Sequence, residues 1–124
     1  MLIRTSSFAD SKGEPGQVSI ALQAPHWWSG PKYQPLSPQP QWLMLSPAAC
    51  TPRYMAMLAK LDAKRVIEEL DALAGDNIIL LCWEASLACR SGRAWCHRHL
   101  VARWLEREIG IVVLESAVPR SGLF

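Results

Sequence analysis

The chain has little that commits it to a familiar chemistry. No apolar stretch approaches the ~20 residues of a membrane span, and MLIRTSSFADSK lacks the basic flank and apolar centre of a secretory signal. There is no acidic or basic tail. A formal charge of +2 over 124 residues does not by itself support nucleic acid or membrane as a partner. No GxxxxGK(S/T) or GxGxxG occurs, which removes nucleotide folds of those types. The phosphatase spacing, cysteine then arginine six positions on, is also missing: that position holds Ala88 after Cys82, Trp95 after Cys89 and Ala102 after Cys96. Internal repeats are lacking as well. What remains is a globular balance, half hydrophobic and 19% charged, long enough for one core and too short for two. Residues 1–124 are expected to form a single cytoplasmic domain. Its four cysteines then read as thiols, ligands or packing residues rather than disulfides.

The texture along the chain suggests α/β structure. MLIRTSSF suits a strand that turns polar at Thr5, Ser6 and Ser7, and QVSIALQ alternates Val18, Ile20 and Leu22 like a second strand. Seven of the nine prolines and three of the six tryptophans lie between Pro25 and Pro52. Proline forbids regular helix and interior strand there, so a long ordered loop is expected, anchored by Trp27, Trp28, Tyr33 and Trp42 or acting as a lid. A helix follows with Thr51 as its cap and Pro52 at its first position. Tyr54, Met57, Leu58 and Leu61 would form its apolar face. Asp62 caps a second helix, with Val66, Ile67, Leu70 and Leu73 as its stripe and Gly75 as its end. NIILLCWE reads as a strand covered on both faces, HRHLVARWLEREIG as an amphipathic helix and IVVLE as a last strand. The rhythm predicts a small three-layer, Rossmann-like domain with a mostly parallel sheet.

The reactive residues gather in CWEASLACRSGRAWCHRHL, residues 82–100, which contains Cys82, Cys89, Cys96, His97 and His99. In the expected fold this segment runs from a strand end to a helix start, the edge where open α/β sheets bind ligands. Cys96, His97 and Arg98 fall in the first helical turn, where unpaired amides and the helix dipole favour an anion and activate a thiol. Arg98 adds a rigid fork of donors. Glu84, the acid of the segment, could orient Arg98 or His97 or act as a general base.

At this point the pattern becomes specific. LLCWE, a loop, CHRHLVARWLE and a strand ending in Glu115 resemble the small bacterial and phage proteins catalogued as domain of unknown function 488. IRTSSF, VSIALQAPHWWSGPKYQPLSP and TPRYMAMLAKLDAKRVIEEL extend the likeness over nearly the whole chain. The resemblance implies one α/β domain in which Cys82, Trp83 and Glu84 form the strand-end motif and Cys96, His97 and Arg98 the helix-start motif; the expected fold would bring the two to a common rim. It implies no particular activity, since the family has no settled function. This chain has a longer loop between the two motifs, which introduces Cys89, Arg90 and Arg93.

Several site chemistries follow. The most economical is a pocket for an anionic small ligand, a nucleotide or a nucleotide-derived compound. His97 and Arg98 would hold the anion, with Cys82 at the strand end and Trp83, Trp27 or Tyr33 as a stacking wall. Ser6 and Ser7 would donate hydroxyls, while Glu84 and Cys96 would be the catalytic candidates if a glycosidic bond is cut. No cofactor is implied. Zinc on Cys82, Cys89 and Cys96 with His97 or His99 is an alternative, although their spacing is wider than the two to four residues usual between paired ligands. A thiol site at Cys96 and an interaction module built on the tryptophans with Arg90 and Arg93 are the others. The plain readings are a buried Cys82 at a strand end and core positions for Trp83, Trp95 and Trp104.

Overall fold

A computed structural model describes residues 1–11, 13–42, 44–83 and 97–115. Four parallel strands form one sheet: β1 (Leu2–Ser7), β2 (Gln17–Ser19), β3 (Asn77–Cys82) and β4 (Leu114–Glu115), in the order β2-β3-β1-β4. The β1–β3 register pairs Leu2 with Asn77 through Ser7 with Cys82, and β4 sets Glu115 opposite Thr5. The helices among the described residues are α1 (Pro47–Ala59), α2 (Ala63–Ala74) and α3 (His97–Ile109).

Strand order explains the layers. The connections from β2 to β3 and from β3 to β4 step across the sheet in the same direction, so crossovers of one hand bring their helices to one face. Accordingly Ile3, Val18, Ile20, Ile78 and Leu80 pack with Tyr54 and Leu58 of α1, Val66 and Leu70 of α2, and Val101, Trp104 and Leu105 of α3. The β1-to-β2 connection steps the other way and contains no helix among its described residues. On that face Ile79 and Leu81 are covered by Phe8, Ala21, Ala24 and Trp28, a thin third layer of loop side chains. A strand enclosed on both sides is what NIILLC spells: every residue after Asn77 is buried.

The proline-rich loop is ordered as expected, with two short 3-10 turns at Gln34–Leu36 and Pro40–Trp42. Tyr33 and Leu36 anchor it in the helix-side core, whereas Trp27 stays 51% exposed and anchors nothing there. The first helix starts earlier than Thr51. Ser46 is its cap, accepting from Ala49 N at 3.2 Å, and Pro47 follows directly, so Pro52 lies inside the helix. The SP and TP pairs carry the same cap-proline signal. The earlier one prevails because it extends the helix to bury Cys50, and Thr51 Oγ1 is then free to donate to Pro47 O at 3.1 Å. Asp62 and Gly75 bound α2 as expected. Leu73 departs from the expected stripe and is 43% exposed.

Candidate functional site at the C-terminal edge of the sheet

All four strands point their C-terminal ends to one edge, where Ser7, Ile20, Cys82 and Glu115 lie with the start of α3. The alternation of strand side chains sorts this edge into two halves.

On the helix side a buried polar chain links three strands to α3. Thr5 Oγ1 donates to Glu115 Oε1 at 2.7 Å. Arg98 grips the same carboxylate through Nη2 to Oε2 at 2.8 Å and Nε to Oε1 at 3.1 Å, and its Nη1 lies 2.8 Å from Cys82 Sγ. Arg98 has no solvent exposure and Cys82 has 1%. Burial by itself would lower the guanidinium pKa. The hydrogen bonds and charge of Glu115, with the sulfur of Cys82, more than offset it, so the pKa is raised and Arg98 stays charged. His99 Nδ1 lies 3.9 Å from Glu115 Oε1 at the outer end of the chain.

His97 ties α3 to Ile20, the residue that follows β2. Its Nε2–H donates to Ile20 O at 2.7 Å, and its ring meets the Tyr54 ring edge-on at a centroid distance of 5.3 Å. Burial drives its pKa down to about 4, against the bond to Ile20, and the charge of Arg98 adds to the depression. The ring is therefore neutral at pH 7, with its proton on Nε2. Tyr54 donates to Leu36 O at 2.5 Å, and burial followed by the neighbouring Cys82 sulfur pushes its pKa up.

On the other side of the edge stands a group of aromatic rings. Phe8, which follows β1, packs edge-to-face with Trp28, Trp83 and Trp27 at centroid distances of 5.3, 5.6 and 6.1 Å. Phe8 is buried, whereas Trp27 and Trp83 are 51% and 54% exposed. Trp83 is held by its Nε1–H donating to Gln23 O at 2.6 Å, and Trp28 by Nε1–H donating to Pro31 O at 3.1 Å.

The structure thus brings Cys82, His97 and Arg98 to one edge and sets Trp83, Trp27 and Phe8 beside them. Ser6 and Ser7 are fully buried there, and Ser7 Oγ accepts from Asp10 N at 3.0 Å. Tyr33 is placed elsewhere, in the helix-side core with its hydroxyl on Glu69 of α2. Glu84, Cys89, Arg90, Arg93, Trp95 and Cys96 lie outside the described residues. Among the described residues no group of three His, Cys, Asp or Glu side chains is gathered. None of the described helices is long and apolar enough to cross a membrane.

Two participants, Glu115 and Phe8, carry no site role in the sequence reading, although Glu115 ends a strand of the family-like pattern. Glu115 ends IVVLE as Glu84 follows LLCW, and an acid at the end of an apolar strand was the available signal. Phe8 ends the first apolar-to-polar run in the same way. No protein-family model, curated protein or solved structure matches this chain.

Proposed function

We propose that the chain binds a small molecule with a planar ring and an anionic part, the class of nucleotides and nucleotide-derived compounds, at the C-terminal edge of its sheet. The observation that carries this reading is the aromatic rim. Two half-exposed tryptophans, Trp27 and Trp83, each pack on the buried Phe8, and Trp83 is fixed by a 2.6 Å hydrogen bond. Exposed flat rings suit stacking of a base, worth about 1–3 kcal/mol per base. Across the same edge, on the helix side, the polar atoms of Arg98, Cys82 and His97 hold α3 against the strand ends. The likeness of LLCWE and CHRHLVARWLE to the domain of unknown function 488 family is part of the same proposal, with Glu84 and Cys96 as the groups that would act if a bond is cut.

Native mass spectrometry of the protein from its host, followed by denaturation and identification of the released compound, tests this directly. A ring-bearing anion is expected, with adenosine 5′-monophosphate as the first probe in tryptophan-quenching titrations. Trp27→Ala and Trp83→Ala should each weaken binding about tenfold or more. Unchanged affinity in both variants would remove the rim from the site. Binding that tracks polynucleotide length and falls steeply with salt would favour an interaction module instead.

A further inference from the structure

The Arg98 guanidinium already faces a carboxylate within the chain, so the charge for an anionic ligand must come from another part of this edge. The segment after β2 supplies it. A pocket of about 260 Å³ opens beside residues 21–26, and Lys32, Gln23, His26, Gln34 and Trp28 are among its walls, with no acidic side chain. Lys32 forms no ion pair among the described residues.

Four carbonyls of this segment are engaged. The carbonyl of Ile20 accepts from His97, that of Ala21 from Ser37 Oγ at 3.0 Å, that of Gln23 from Trp83 and that of Pro25 from Trp28 N at 2.9 Å. The N–H groups of Leu22, Gln23 and Ala24 have no acceptor among the described residues. Leu22, Gln23 and Ala24 line the pocket together with Lys32, so their three amides are donors left available to an oxyanion bound there. An ammonium group across the same pocket adds a full charge, and charge-assisted bonds to an oxyanion are the strong ones.

From this we infer that residues 22–24 and Lys32 form an anion site that takes a phosphate or carboxylate group. It deepens the rim reading, since Trp28 belongs both to the pocket wall and to the aromatic group. The anionic part of the ligand sits under Lys32 and the planar part lies on the exposed rings. The backbone around Lys32 is fixed independently of its side chain: Tyr33 N donates to Ser19 O and Ser19 N to Pro31 O, each at 2.9 Å. Its truncation therefore leaves the fold intact.

The test uses inorganic phosphate and adenosine as separate probes at constant ionic strength, followed by amide NMR of the full chain. Phosphate should shift the amides of Leu22, Gln23 and Ala24 saturably. Lys32→Ala should weaken that binding about tenfold and Lys32→Arg should restore it. A saturable phosphate response without adenosine binding upholds the anion site and ends the rim reading. Adenosine binding without a phosphate response overturns the anion site and leaves the rim standing. Equal phosphate affinity in wild type and Lys32→Ala also overturns it.

Discussion

Arg98 Nη1 lies 2.8 Å from Cys82 Sγ while the other arms of the same guanidinium hold Glu115, so one buried cation joins β3 and β4 to the start of α3. Its value to the fold is large only because both partners are present. Arg98→Met should destabilise the protein by about 3–5 kcal/mol, since it strands a carboxylate whose side chain is only 19% exposed. Adding Glu115→Gln to Arg98→Met should recover a substantial part of that loss. Urea unfolding of the two singles and the double gives the coupling. Additive losses would show that the ion pair does not organise this edge.

His97 gives the chain a pH dependence of known sign. Its folded pKa is about 4 and its ordinary value 6.5, so between these values the unfolded state binds more protons than the folded one. Stability is therefore full above about pH 6.5 and declines as pH falls toward 4, by roughly 2–3 kcal/mol for a shift of this size. His97→Gln, which keeps a donor for Ile20 O, should lose this share of the slope. Denaturant midpoints at pH 7 and 4.5 for both proteins decide it, and identical slopes would contradict the assignment.

Much of this architecture was legible before any coordinates. Apolar runs at β1 and β3, the Asp62 and Gly75 boundaries of α2 and the stripe Val101, Trp104, Leu105 follow local rules that tertiary packing did not override. The convergence of Cys82 with Arg98 was legible too, because a parallel crossover returns the next helix start to the end of its strand. What was not legible depended on strand order. Glu115 meets Thr5 and Arg98 only because β4 pairs with β1, and no local pattern states that pairing. Trp27 and Tyr33 lie six positions apart in one loop, yet one is exposed and the other is in the core, a division set by how the loop crosses β2 rather than by residue type.

The start of α1 is open to a direct check. With Ser46 as cap, Pro52 sits in the helix interior, where it cannot donate to the carbonyl four residues back and its ring crowds that turn. Pro52→Ala should therefore stabilise the protein by about 1–2 kcal/mol after the added freedom of the unfolded chain is offset. Ser46→Ala should cost about 1 kcal/mol. A helix beginning at Thr51 would instead make both substitutions close to neutral in thermal denaturation.

Gly16 bears on the proposed anion site through the placement of β2. Its φ is +82°, and a Cβ there would fall 1.9 Å from Asn77 O, while its own carbonyl accepts from Ile79 N at 2.8 Å. The residue thus admits β2 to its place against β3, and β2 delivers Ile20 and the amides of 22–24 to the edge. Gly13 has a similar φ of +85° but open space where a side chain would go. Gly13→Ala should cost about 1 kcal/mol from backbone strain alone. Gly16→Ala should cost about 2–4 kcal/mol, because the clash is with backbone that cannot yield without breaking the β2–β3 register. Paired thermal melts measure the difference. Amide spectra of Gly16→Ala should show, beyond its own neighbours and Asn77–Ile79, shifts at Leu22, Gln23 and Ala24, because displacing β2 displaces the loop that follows it.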